Sequence, residues 1–253
     1  MKFGTVKTKD VRKFSQSIDD VLNVSSGVEA TKMAVLWGHA GTGKTTALAH
    51  MVCVYDGIYI RAMSCSTVTS ILGDLCKELG GKRMCRRTDM IEFIAEELTR
   101  DNRAPRPIFV DEADYCFRRF DMVEALRDIH DIAKASVILV GMENIAKAIR
   151  SHEQIARRVI KWVNFRGLDL EDTTKVAAEL CEVPLSPCLL DYVHRETLGN
   201  IGRAVIALEK IEQFALANGF DGPVTAAAWG ERPLYFDQPT FKTGKFKDSS
   251  RAR

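Results

Sequence analysis

One stretch of fourteen residues, WGHAGTGKTTALAH at positions 37–50, restricts the fold more than any other part of the chain. Gly38-His39-Ala40-Gly41-Thr42-Gly43-Lys44-Thr45 fits G-x-x-x-x-G-K-[ST] at every position. That pattern works at one kind of junction, where a buried strand ends in a tight loop and a helix begins. Glycines let backbone N–H groups approach a polyphosphate, and the helix offers its positive end. The apolar run MAVLW at 33–37 stands directly before the loop, so strand, loop and helix follow in the required order.

The chemistry expected of the loop follows from its residue types. Gly38, Gly41, Thr42 and Gly43 supply backbone amides, and Lys44 reaches the β- and γ-phosphates of ATP. Thr45 ligates Mg2+, with Thr46 beside it. A second segment, IFVDEAD at 108–114, is a buried strand ending in two acids. Asp111 is placed to join Thr45 at the metal, and Glu112 to polarise a water for attack on the γ-phosphate. Together the two segments point to a nucleotide-hydrolysing site.

Around these motifs, short apolar runs alternate with amphipathic segments. The runs are MAVLW (33–37), IYI (58–60), IFV (108–110), VILV (137–140) and VIKWV (159–163). Val68, Ile71, Leu72, Leu75 and Leu79 fall on one helical face, as do Met122, Leu126, Ile129 and Ala133, and Asp89 with Glu92 marks a helix start. This alternation predicts an α/β fold, a parallel five-stranded sheet flanked by helices, over residues 32–167. After Gly167 the pattern turns helical, predicting a small all-helical lid over 168–219. Residues 1–31 are polar, with one helical candidate around Ser15 to Val24. Residues 220–253, rich in proline, glycine and basic residues, read as an extended or disordered tail.

Composition removes several classes. No apolar run approaches the length that spans a bilayer, and the first residues lack the apolar core of a secretory signal. Seven cysteines without a C-x-x-C pair argue for reduced thiols rather than a disulfide framework or zinc site. With a formal net charge of +2, affinity for nucleic acid has to come from a local patch. GGKRMCRRT at 80–88 is such a patch: Lys82, Arg83, Arg86, Arg87 and Thr88, with no acid among them. Its glycines allow close backbone approach, and its arginines suit phosphate contacts without base readout. A surface for a protein partner is the other reading of this loop. Arg118 and Arg119, just after the acidic motif, rank behind it as a subunit or second DNA contact.

The phosphate loop, IFVDEADYC, VILVGMENIAKAIRSHEQIARRV and GNIGRAVIALEKI together resemble the AAA+ ATPases. Within them they look most like the transposition regulators that include the TnsC proteins and the transposition protein B of phage Mu. The resemblance covers roughly residues 30 to 218. It implies a cytoplasmic ATPase, encoded by a bacterium or a phage. Such a protein oligomerises with ATP as a helical filament on duplex DNA, recruits or stimulates a transposase, and disassembles on hydrolysis. It further implies Arg158 as the arginine finger acting on a neighbouring subunit and Arg203 as the lid's nucleotide sensor. Relatives often carry Thr after the VG pair, whereas this chain has Met142, leaving Asn144 or Glu143 as the polar sensor of the γ-phosphate. A helicase-loader-like ATPase and a nucleotide-gated protein scaffold without a DNA role are the alternatives.

Overall fold

The computed structural model describes residues 1–2, 4–24, 32–100 and 104–234. Five strands, β1 (Met33–Gly38), β2 (Ile58–Arg61), β3 (Ile108–Asp111), β4 (Val137–Gly141) and β5 (Val159–Phe165), form one sheet in the order β2-β3-β4-β1-β5. Every pairing is parallel, and Val35, Leu139 and Val110 lie in register across the three central strands. All five apolar runs of the sequence are strands here. β3 and β4 are buried along their whole length, which is why they read as continuous apolar runs rather than alternating ones.

Helices cover both faces. On one lie α3 (Val68–Glu78), α4 (Arg87–Thr99), α5 (Asp121–Ala133), α6 (Glu143–Arg150) and the short α7 (Glu153–Ala156), packed on Met33, Val35, Val110 and Leu139. On the other, α1 (Lys9–Leu22) and α2 (Lys44–Val54) pack on Ala34, Leu36, Phe109 and Val163. α1 begins earlier than the sequence suggested. Thr8 caps it by accepting from the Val11 N–H, and Val11, Phe14, Ile18 and Val21 form its buried stripe. α4 also starts earlier, at Arg87 rather than Asp89, so two residues of the expected basic loop belong to a helix.

The lid consists of α8 (Leu170–Leu180), α9 (Pro187–Thr197) and α10 (Ile201–Ala217). Asp169, Ser186 and Asn200 cap the three helices through side-chain oxygens. The chain enters the lid at Gly167, which packs against Gly199 of the lid's α9–α10 turn. Both have positive φ, and a Cβ on Gly167 would sit 2.4 Å from the Gly199 carbonyl oxygen. The Leu168 N–H donates to that same oxygen at 2.8 Å, so only glycine permits this contact. The N-terminal residues strap the two parts together: the Lys9 N–H donates to Asp172 of the lid, while Asp10 accepts from the Arg166 and Gly167 N–H groups.

Residues 220–234, expected as the start of an extended tail, pack on the lid instead. A short helix, α11 (Ala226–Trp229), is capped by Thr225; Val224, Trp229 and Leu234 are buried against α9 and α10. The aromatic anchors outweigh the turn-rich composition, and Trp229 stands edge-on to Phe214 at 5.4 Å. The remainder of the tail, 235–253, lies outside the described residues. No described helix is long and apolar enough to cross a membrane.

Candidate nucleotide site

The phosphate loop leaves the carboxyl end of β1, at the edge of the sheet where ligands of parallel α/β folds bind. Gly41 and Gly43 adopt φ of +77° and +88°, and Gly43 opens α2. Thr42 is buried and donates its hydroxyl to His39 O at 2.9 Å. The Lys44 ammonium donates to Gly38 O at 2.8 Å and His39 O at 2.7 Å. Burial lowers its pKa from the usual lysine value, against the opposing pull of Glu112, Asp111, Asp114 and Glu143.

The acidic motif meets this loop across one cleft of about 330 Å³, whose walls include Lys44, Thr45, Thr46, Asp111, Glu112 and Met142. Asp111 is buried; one oxygen accepts the Glu112 N–H at 2.9 Å, the other the Tyr59 hydroxyl at 3.3 Å. Burial and the Asp111 charge together push the Tyr59 phenol above its ordinary pKa, which keeps it a donor. Glu112 holds a left-handed backbone, φ +53°, rare for a glutamate and typical of strained functional positions. Its carboxylate faces Arg61 at 3.7 Å, from the end of β2. Among the described residues no cluster of three or more His, Cys, Asp or Glu side chains could cage a metal. The donor set fits Mg2+ bound through Thr45, Asp111, phosphate oxygens and water, which is how this ion is commonly held at nucleotides.

Two features have no single-segment signal in the sequence. Asp114 accepts the Met142 N–H at 2.6 Å, tying the acidic motif to the end of β4. Beyond α2's first turn lies a second, largely apolar chamber of about 240 Å³. Its walls come from Val6, Val11, Leu168, Leu180, Ile201 and Val205, four separate parts of the chain. Gly43, Thr46, Ile201 and Gly202 border both chambers, so a nucleotide with its phosphates in the first has an apolar recess for its base in the second.

The residues that the resemblance singles out lie around α6, just after α7 and in the first turn of α10. Asn144 is exposed in the first turn of α6, and the cleft is lined there by Gly141 and Met142 instead, because the chain turns into the helix immediately after β4. Glu143 pairs with His39 at 2.9 Å. Arg203 lies in the first turn of α10, beside the cleft-lining Ile201 and Gly202, with its backbone N–H on the Asn200 cap. Arg158 is engaged within its own subunit. Nε and Nη2 grip Asp131 at 2.8 and 2.6 Å, and Nη1 donates to Gln154 O at 2.6 Å. Its neighbour Arg157 is exposed and pairs along α7 with Glu153.

The clasp makes a pH signature. Burial works to raise the Asp131 pKa, but the Arg158 hydrogen bond and charge outweigh it and hold it below the ordinary 3.8. The clasp therefore stabilises the fold above pH 3.8 and is lost as pH falls through the depressed value. Wild type should melt a few degrees above Asp131→Asn at pH 6, and the gap should narrow as pH falls below 3.8 in thermal melts of both proteins.

The basic loop lies on a separate surface. Residues 80–86 run back along α3, anchored by the Gly81 N–H on Cys76 O at 2.7 Å. Lys82, Arg83, Arg86, Arg87 and Thr88 are all exposed. Arg87 Nε donates to Thr69 at 3.1 Å, which brings the loop's end to the start of α3.

Residues 28–149 match the family model of an AAA domain, a little under half of the chain. The fold is that of the AAA+ P-loop ATPases. No curated protein matches the chain. Among solved structures, the ORC2 protein of Aeropyrum pernix in its ADPNP–ADP complexes superposes with a TM-score of 0.67 at 16% identity, covering 87% of this chain and 70% of that one. Cdc6p from Pyrobaculum aerophilum follows at 0.62 and 17%, over 87% and 66%. The Aeropyrum pernix ORC1 protein in complex with DNA gives 0.59 and 16%, over 87% and 63%. At such identities the likeness is one of AAA+ fold. It does not single out a transposition regulator.

Proposed function

We propose that this AAA+ chain is an ATPase whose nucleotide state governs its assembly on duplex DNA, and that it serves as a regulator of DNA transposition. The observation that carries the ATPase reading is the convergence of Lys44, Thr45, Asp111 and Glu112 on one cleft roofed by the lid. In this reading the N–H groups of the loop and Lys44 hold the phosphates, and Mg2+ bound through Thr45 and Asp111 would offset their charge. Glu112 takes the proton of the attacking water, and Asp111 is held in place by accepting from the Tyr59 hydroxyl and the Glu112 N–H. Arg158, the finger that the resemblance implies, would leave Asp131 to reach a neighbouring subunit's nucleotide, with Arg157 exposed beside it at the end of α7. A difference in affinity of the ATP and ADP states for self and DNA converts hydrolysis into release.

The DNA reading is supported by the acid-free loop that exposes Lys82, Arg83, Arg86, Arg87 and Thr88, and by fold likeness to a protein solved in complex with DNA. Few contacts per subunit would be weak singly and additive along an assembly. The transposition reading rests on VGMENIAKAIRSHEQIARRV and GNIGRAVIALEKI, and the partner it names is a transposase. Electron microscopy of the protein with ATP, with and without duplex at two salt concentrations, tests both. Filaments that need ATP and duplex are expected. Discrete oligomers indifferent to DNA would favour the scaffold reading, and preference for single strands a helicase loader. Arg86→Ala with Arg87→Ala should weaken duplex binding and lower the slope of log affinity against log salt by about 2, measured by fluorescence anisotropy. An unchanged slope would remove the loop from the interface.

A further inference from the structure

The lid is bonded to the phosphate loop through the loop's own carbonyls, and the direction of those bonds has a consequence for its amides. Asn200 Oδ1 accepts the Arg203 N–H at 3.0 Å, capping α10, while Asn200 Nδ2 donates to Ala40 O at 3.1 Å. Two residues on, the Gly202 N–H donates to Gly41 O at 3.3 Å. In a trans peptide the carbonyl and the following N–H point to opposite sides. Holding Ala40 O towards the lid therefore turns the Gly41 N–H away from it. Holding Gly41 O does the same for the Thr42 N–H. Across residues 40–43 only Gly41 and Gly43 have positive φ, the alternation that makes successive N–H groups converge on an anion.

We infer that Asn200 is a positioning residue: by holding the Ala40 carbonyl, it lets the docked lid arrange the phosphate-binding amides before nucleotide arrives. The inference rests on the nucleotide reading proposed above. Its corollary is reciprocal. Phosphate that fixes the loop also presents Ala40 and Gly41 to the lid, so phosphate binding and lid docking strengthen each other by the same factor. The close fit of Asn200 to the loop agrees with this, since a Cβ on Gly41 would stand 2.3 Å from Nδ2.

Asn200→Ser separates the two tasks of this side chain. Serine caps a helix about as well as asparagine, but its one short hydroxyl cannot cap α10 and donate to Ala40 together. In the full chain we expect ATP affinity to fall about 3- to 10-fold, the change one to two net hydrogen bonds supply. Adenosine affinity, read by the same calorimetric titration, should stay within about twofold, and the melting temperature should not move. Amide hydrogen exchange of residues 38–46 in nucleotide-free protein should quicken. Unchanged ATP affinity with unchanged exchange would overturn the inference. So would equal losses for adenosine and ATP with a lowered melting temperature, which would leave Asn200 a helix cap alone. If wild type binds ATP no better than Lys44→Ala, the nucleotide reading falls, and the exchange result by itself decides the latch.

Discussion

Glu112→Gln should leave ATP bound and slow its turnover by about 10²- to 10⁴-fold, the range that removal of a positioned general base produces. Glutamine keeps the size of the side chain and meets the same left-handed backbone, so the local strain at φ +53° is unaltered. What disappears is the proton acceptor, together with the charge facing Arg61 at 3.7 Å. That pair is wide and partly exposed, so its loss contributes little to stability. Phosphate release under single-turnover conditions, beside equilibrium binding of ATP, separates the roles. Retained binding with lost turnover is expected, and DNA-bound assemblies should outlast those of wild type. Binding and turnover lost together would make Glu112 structural, and turnover near the wild-type rate would exclude it as the base.

Gly41→Ala should damage the site by a different route. At φ +77° a Cβ strains the backbone by about 1–2 kcal/mol. It would also lie 2.3 Å from Asn200 Nδ2 and 2.6 Å from Oδ1, so the lid has to shift or the loop has to open. Nucleotide affinity is expected to fall by at least about tenfold, because the new methyl strikes the side chain that both caps α10 and holds Ala40. Gly80→Ala is the matched control. Its φ is +78°, with nothing within 4 Å of the added carbon, so it carries the strain without the collision. Titration of both variants with ATP distinguishes them; equal affinities would mean that Asn200 yields freely and that the contact has no bearing on the site.

The parts of this molecule legible in the sequence are those encoded within one segment. The phosphate loop and IFVDEAD each carry their geometry in consecutive residues, and the five apolar runs announce strands buried on both faces. Sheet, lid and the convergence of Lys44 with Asp111 and Glu112 follow from these. The apolar chamber was not legible, because Val6, Leu168, Leu180 and Val205 come from distant parts of the chain and become neighbours only when the lid closes on the N-terminal strap. The same holds for the clasp between Asp131 and Arg158, 27 positions apart. Packing of residues 220–234 is hidden by composition: proline and glycine signal turns, but Trp229 and Leu234 bury enough surface to order the turns between them.

The crossing of Gly167 and Gly199 makes the lid a lever. Its fulcrum is the bare backbone contact beside the phosphate loop, and its arm is α10, Ile201–Ala217, about 25 Å long at 1.5 Å per residue. A tilt of about 10° at the fulcrum would carry the far end through about 4 Å, roughly the width of a side chain. The load at that end is the cluster of Phe214, Phe220 and Trp229, with the exposed Leu216 beside it. Small shifts at the phosphate loop would thus arrive magnified at the opposite end of α10.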